Sequence, residues 1–303
     1  MARRLELTVT GECAGVRVDT LLRKRLGLSG TVIRRIKWLE DGILVDGVRV
    51  NTRFVPAAGQ VLSVRLSEPE RRSGIVGVSG ELDIVYEDED IIVVNKPAGL
   101  SVHPGPGHWD DTLGNFLVGY YQRTGQEADF HPVHRLDRGT SGLLVCAKHP
   151  HAQERLKQQL HTSAFGREYL ALCEGAPQPP KGVVDAPIGG KDGSLVEQCV
   201  RPDGKSARTH YETLVQTGGR ALLRVKLDTG RTHQIRVHMA YIGHPLVGDF
   251  LYGTQPPGMM GRTALHSHRL TLRHPVTGQE MGWVSPLPED MGQLFESELF
   301  DVY

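Results

Sequence analysis

At 303 residues the chain is long enough for one large domain and a small one. Lysine plus arginine equals aspartate plus glutamate at 35 each, so the molecule as a whole is not a polycation. Cys13, Cys146, Cys173 and Cys199 stand far apart without a Cys-x-x-Cys pair, which argues against a zinc ribbon or a disulfide scaffold and for a reducing compartment. Met1-Ala-Arg-Arg-Leu-Glu6 lacks the apolar run of a secretory signal, and no stretch approaches the roughly 18 apolar residues of a membrane span. A soluble, cytoplasmic protein with no membrane partner is expected.

Residues 1–66 read as one small basic unit. They carry 12 Lys/Arg against 6 Asp/Glu, an excess of six positive charges in a chain that is balanced as a whole. Val18, Leu21, Leu22 and Leu26 fall three or four apart, and Ile33, Ile36 and Leu39 repeat that spacing, which predicts two amphipathic helices with Gly42 as a stop. Their polar faces hold Arg17, Arg23, Lys24 and Arg25, then Arg34, Arg35 and Lys37. Ile43-Leu-Val45, Asp46-Gly47 and Val48-Arg-Val50 follow as strand, tight turn and strand, a strong hairpin signal. This helix, helix and hairpin arrangement resembles the small RNA-binding module first recognised in a ribosomal small-subunit protein. The resemblance implies that Arg23, Lys24, Arg34, Arg35 and Lys37 meet phosphates, the contacts that give nucleic-acid binding its sequence-independent affinity. A merely solvated basic face is the plainer alternative.

Ser67 to Gly80 has Pro, Gly, Ser and charge without periodicity and is expected to be a linker, 67–80. Beyond it, short β-type runs recur at Ile91–Val94, Leu143–Cys146, Tyr169–Cys173, Tyr211–Leu214 and Leu222–Leu227. Helical stretches lie between some of them, at Thr112–Tyr121 and Ala152–Gln159. The spacing is irregular and nothing repeats, which favours an α+β domain with a mixed sheet over a doubly wound fold. That domain is expected to span residues 81–295, with 296–303 as a C-terminal tail.

The stretch richest in chemistry is His134-Arg-Leu-Asp137-Arg-Gly-Thr-Ser-Gly142-Leu-Leu-Val145. It sets one acid among strong hydrogen-bonding groups, beside two glycines where backbone turns tightly, at the entrance to a buried strand. Capping of a turn is the plain alternative for Asp137. Four other segments give it a context: Asn95-Lys-Pro-Ala-Gly-Leu100, Arg167-Glu-Tyr169-Leu, Gly204-Lys-Ser-Ala-Arg-Thr-His-Tyr211, and Thr229-Gly-Arg-Thr-His-Gln-Ile-Arg236-Val-His238. The last runs from a turn into a predicted helix whose apolar stripe is Ile235, Met239 and Ile242, with Arg236 beside the stripe.

With these motifs in this order, the chain resembles the RluA-like family of RNA pseudouridine synthases. His134 to Leu144 matches the central motif, Asn95 to Leu100 the first and Thr229 to His238 the third, and the likeness runs from about residue 80 to 290 through Gly243 to Asp249 and Leu265 to Leu270. The resemblance implies a largely antiparallel sheet of the synthase type and an isomerisation of uridine in structured RNA. Ribosomal RNA is the expected partner and transfer RNA the alternative. In that reaction the glycosidic bond breaks, the uracil turns while bound, and carbon 5 joins the sugar, with no atom gained or lost.

By the same resemblance Asp137 is the essential acid. It acts on the sugar, acts on the base or initiates elimination, and the sequence leaves all three open. A nearby cation favours the ionised carboxylate, and the resemblance assigns that place to Arg236. Tyr169 corresponds to the active-site tyrosine, whose ring stacks on the base and whose hydroxyl is available for proton transfer. Stacking of this kind is worth roughly 1–3 kcal/mol. Arg167 stands where relatives often have Lys, so the charge is kept. Arg135 is expected to fill the space left by the extruded nucleotide, offsetting part of the unstacking cost. Ile235 packs beneath the base and His134 completes the substrate-binding set.

The 14 histidines raise a metal reading, but His233 and His238 are five apart and His266 and His268 two apart, neither with His-Glu-x-x-His spacing. No Walker-type loop or dinucleotide fingerprint is present, so no metal, cofactor or nucleotide cofactor is expected. Two other classes of function are set against the isomerase. One is a noncatalytic RNA-binding or ribosome-assembly factor on the same fold. The other is glycoside hydrolysis by paired carboxylates, which requires a second acid near Asp137 that no motif supplies.

Overall fold

A computed structural model describes residues 2–68, 70–160, 162–217, 219–253 and 260–294. The expected tail at 296–303 lies outside them. The N-terminal unit pairs strands β1 (Arg4–Thr8), β2 (Ile43–Val45), β3 (Val48–Arg49) and β4 (Val61–Arg65) into an antiparallel sheet of order β1-β4-β2-β3. Helices α1 (Val18–Lys24) and α2 (Gly30–Ile36) pack on it through Val18, Leu21, Leu22, Val32, Ile33 and Ile36. The Ser29 hydroxyl accepts from the Val32 N–H and caps α2. The helical spacing that reached Leu39 is cut short at Ile36, because the chain turns back so closely that a Cβ on Gly42 would lie 1.9 Å from the Ile36 carbonyl oxygen. Asp46 (φ 49°) and Gly47 (φ 79°) make the hairpin turn the dipeptide calls for.

The remainder builds one large sheet. Its strands are β5 (Ile84–Glu87), β6 (Ile91–Lys96), β7 (His131–Pro132), β8 (Ser141–Ala147), β9 (Gly166–Glu174), β10 (Lys181–Asp185), β13 (Arg208–Thr217), β14 (Arg220–Leu227), β15 (Leu265–Arg273) and β16 (Glu280–Val284). A separate hairpin joins β11 (Ile188–Gly190) to β12 (Gln198–Val200). The order is β10-β13-β14-β9-β15-β8-β6-β5, with β7 on β8 and β16 on β15, and the pairing is antiparallel except where β15 meets β8. The sheet is therefore mixed and largely antiparallel, in an α+β architecture.

Strands buried on both faces read as continuous apolar runs, and β6 and β8 do. Ile92, Val94, Leu144 and Cys146 face helix α3 (Leu113–Arg123), while Ile91, Val93, Leu143 and Val145 face helix α4 (Pro150–Gln159). Helix α5 (Gln234–Tyr241) adds Ile235 and Met239 to the α3 side. A short helix α6 (Glu289–Gly292) closes the described chain. None of the described helices is long and apolar enough to cross a membrane.

The described residues between 67 and 80 have no regular structure but do not hang free. Asp129 accepts from the Arg72 and Ser73 N–H groups, Asn115 donates to the Val76 carbonyl, and Arg71 donates to the Ala128 and Gln126 carbonyls. Gly119 permits the approach, since a Cβ there would lie 2.1 Å from the Val78 carbonyl oxygen. The N-terminal unit is tied to the large sheet as well. Arg3 donates twice to buried Asp90 at 2.8 and 2.9 Å, and Arg65 pairs with Glu127.

Candidate active site

Strand β8 begins at Ser141, and the turn before it, closed by a Thr140 N–H to Asp137 carbonyl bond of 3.0 Å, carries Asp137. Gly142 is required here. Its φ is +106°, and a Cβ would lie 2.3 Å from the Ser267 carbonyl oxygen of β15. A second loop braces the turn from the side: the Gly99 N–H donates to the Arg138 carbonyl at 2.8 Å, and the Arg138 guanidinium donates to the Gly99 carbonyl at 2.9 Å.

The Asp137 side chain is 18% exposed, so one side of it faces a cleft while the other meets protein. Arg236, far along the chain on α5, brings a guanidinium nitrogen to 3.5 Å from its carboxylate. That cation is shared. Its shortest bonds, at 2.6 and 2.7 Å, go to Asp249, whose side chain is fully buried. Asp249 also accepts the Leu251 and Tyr252 N–H groups, so both of its oxygens are engaged. Burial opposes the charge of Arg236, but Asp249 first and Asp137 after it outweigh burial and hold the guanidinium above its usual range.

A second acid thus lies close to Asp137, contrary to the expectation from motifs. Its bidentate lock on Arg236 removes it from the role a paired-carboxylate hydrolase requires. Its signal was the Gly243 to Asp249 segment, which no spacing rule connects to residue 137.

His233 and Lys96 complete the surroundings, and sequence reasoning gave neither a role at the acid. His233 adopts φ 54°, a left-handed conformation that costs a non-glycine residue energy. It places Nε2 4.0 Å from Asp137 and Nδ1 2.9 Å from the Tyr252 hydroxyl. Burial lowers its basicity despite the pull of Asp137. Lys96, only 1% exposed, ends β6 with Nζ donating to the carbonyls of Pro97, Leu100 and Arg138 at 2.7, 2.9 and 3.3 Å. It pins the two loops that flank Asp137. Burial pushes its pKa down to about 7, with Asp137 opposing and Arg262 assisting.

Asp137 sits where two hollows meet. One, of about 250 Å³, is lined by Tyr169, Ile235, Leu265, Arg167 and Leu160 together with Asp137 and Arg236. The other, of about 1060 Å³, runs out past His103, Arg138, Arg262 and exposed Phe250. Tyr169 and Ile235 are each 4% exposed and pack together in the core, so the first hollow has an apolar floor. Burial raises the Tyr169 phenol above its usual range. Arg135 is exposed and borders both hollows.

Of the expected set, the fold brings Asp137, Tyr169, Arg236, Ile235 and Arg135 to one place. His134 lines the same hollow, with both ring nitrogens buried without a partner and its ring edge-on to the Phe165 ring at 5.8 Å. Burial holds it neutral, with a pKa near 3.

The histidines read for metal are bonded within the fold: His238 to Thr209 and Ala186, His266 to Ser141, His268 to Ser285. Among the described residues, Asp88, Asp90 and His274 cluster, but their atoms are taken by Tyr86, Arg3, His149 and backbone N–H groups. They lie at the opposite end of β6 from Asp137. In the N-terminal unit, Lys24 and Arg34 are exposed, Arg23 pairs with Asp19 at 3.0 Å, Arg35 is drawn to Glu68 at 3.3 Å, and Lys37 lies 4.7 Å from the ring of exposed Trp38.

Residues 90–241 match the family model described as RNA pseudouridylate synthase. The chain is 38% identical to "Uncharacterized RNA pseudouridine synthase YjbO" of Bacillus subtilis (strain 168), across 90% of this chain and 96% of that protein. It is 40% identical to "Ribosomal large subunit pseudouridine synthase D" of Nitrosomonas europaea, across 97% of this chain and 87% of the relative. Among solved structures, "Human RNA Pseudouridylate Synthase Domain Containing 4" aligns with a TM-score of 0.56 and 27% identity, covering 69% of this chain and 90% of the human one.

Proposed function

The chain belongs to the RluA-like family of RNA pseudouridine synthases, and as such an isomerase of RNA uridine we propose that it acts on ribosomal RNA of the large subunit, with Asp137 as its essential acid. The single observation that carries the role of Asp137 is its position 3.5 Å from a buried guanidinium while one side still faces the hollow floored by Tyr169 and Ile235. A carboxylate held this way is not used up by its partner, because the tightest bonds of Arg236 go to Asp249.

Each step of the isomerisation then has a group to serve it. Arg135 at the border enters the stack vacated by the target nucleotide, offsetting part of an unstacking cost of a few kcal/mol. The detached uracil needs a surface that holds it while it turns, and the hollow lined by Tyr169 and Ile235 supplies one. The bond from N1 to the sugar breaks and the bond from C5 forms, while the proton leaving C5 is replaced by one gained at N1. Asp137 serves as the anion beside the sugar in this exchange. For the ribosomal assignment, support comes from relatives that carry the large-subunit name and align along nearly the whole chain, the basic N-terminal unit included. Lys24, Arg34 and exposed Trp38 there suit phosphates and an unpaired base.

The test is release of tritium from C5-labelled uridine in a large-subunit RNA transcript, run beside a transfer RNA pool. Asp137→Asn is expected to lower turnover by about 10²–10⁴-fold or more with RNA affinity nearly unchanged, since it removes charge and almost no volume. Full turnover in that variant removes Asp137 from the mechanism. Labelling of transfer RNA alone overturns the ribosomal assignment, and RNA binding with no product from the native protein favours the assembly-factor reading.

A further inference from the structure

Helix α4 connects two parts of the molecule that the sequence leaves apart. Its cap residue His149 bonds to Asp90, the same carboxylate that Arg3 of the N-terminal unit holds. Strand β8 has carried the chain to this end, and α4 carries it back, so the residue closing the helix, Leu160, lines the hollow at Asp137. Ten residues of helix span about 15 Å between the two ends.

Along that length the buried face is His151, Ala152 and Leu156. Arg155 and Lys157 flank Leu156 at about 100° to either side, exposed, with no ion pair or side-chain hydrogen bond to either among the described residues. Arg155 faces the N-terminal unit: a Cβ on Gly27, in the turn between α1 and α2, would lie 3.8 Å from its guanidinium. That turn is already basic, since Arg23 and Arg34 guanidinium atoms lie within 3.6 Å of the same point beside Gly30. Lys157 lies on the other side of Leu156, one helical turn before Leu160, which lines the hollow at Asp137 together with Arg135. Glu154 is the one acid on this helix.

We propose that Arg155 and Lys157 form the middle of a continuous phosphate-binding track that joins the basic N-terminal helices to the catalytic cleft, so that one RNA is gripped by both parts at once. The inference rests on the reading of the chain as an RNA-acting enzyme and deepens it by giving the path of the RNA backbone. Exposed cations without protein partners, placed in line between two nucleic-acid-binding regions, are free to neutralise phosphates. Arg155 extends the charge of the α1–α2 turn, and Lys157 hands it on to Arg135.

The test compares the full-length protein with Arg155→Gln/Lys157→Gln, and with the charge-keeping Arg155→Lys/Lys157→Arg as control for fold. Two RNAs are used, a large-subunit rRNA transcript and a short uridine stem-loop that occupies only the cleft. Dissociation constants are measured over a range of salt. On the transcript the neutral pair is expected to bind roughly tenfold more weakly near physiological salt and to flatten the log–log salt dependence by about 1.4–1.8, two contacts at 0.7–0.9 each. The stem-loop affinity and the saturated turnover should not move, and the control pair should behave as the native protein. Unchanged affinity and slope on the transcript overturn the track, and so does an equal loss on both RNAs. A flattened slope on the transcript, in a protein that releases no tritium from any RNA, leaves the track standing and refutes the catalytic reading alone.

Discussion

Asp249→Asn probes the shared cation most sharply. The change keeps shape but turns a buried carboxylate into an amide whose nitrogen confronts the Arg236 donors at the 2.6 or 2.7 Å position. Breaking a buried pair by removing one member costs about 3–5 kcal/mol, because a charge is left uncompensated. Here the remaining charge has Asp137 3.5 Å away. At an effective dielectric near 20, drawing the guanidinium from that separation to hydrogen-bond distance adds roughly 1–2 kcal/mol of attraction, so part of the loss is recovered on Asp137. A net destabilisation of about 2–3 kcal/mol follows, read as a fall of roughly 4–12 °C in melting temperature for a domain of this size. The same movement occupies the Asp137 oxygen that should face the sugar. Tightening that contact by about 1.4–2.7 kcal/mol lowers kcat roughly 10–100-fold, measured by tritium release at saturating RNA. Arg236→Met added to Asp249→Asn should restore part of the stability and none of the activity, since it removes the stranded charge. A melting point within a degree or two of native, with kcat unchanged, would refute the idea that Asp249 holds Arg236 off Asp137.

Lys96→Met tests the buried ammonium. With a folded pKa near 7 against the ordinary lysine range, the unfolded chain binds more protons between those limits, so this group makes stability rise with pH from about 7 upward and withdraws that gain as pH falls through 7. The variant should lose this slope in urea titrations across pH 6–10, and retention of the native slope excludes Lys96 as its source. Gly142→Ala combines a φ of +106° with a 2.3 Å clash against Ser267 and should cost about 2–5 kcal/mol in chemical denaturation, with a stable variant refuting the requirement for glycine. Lys24→Gln/Arg34→Gln removes two exposed charges and should flatten the salt dependence of transcript binding by about 1.4–1.8 without altering kcat; an unchanged slope assigns the N-terminal helices another task.

What the sequence determined by itself is local. The 3.6-residue spacing on Val18 to Ile36, the Asp46-Gly47 turn, and the apolar runs at Ile91 and Leu143 each follow from neighbours in the chain, and the structure repeats them. The order and content of the central and third motifs likewise marked Asp137, Arg135, Ile235 and Arg236, and the Arg167-Glu-Tyr169-Leu segment marked Tyr169. Type and order, however, carry no information on distance between residues a hundred positions apart. The parallel contact of β15 with β8, the lock of Asp249 on Arg236, and the three carbonyls around Lys96 depend on how strands and loops meet in space. Spacing between neighbours is set by the backbone's own periodicity, but the environment of a charge is set by whatever the rest of the chain packs against it, and only tertiary structure decides that.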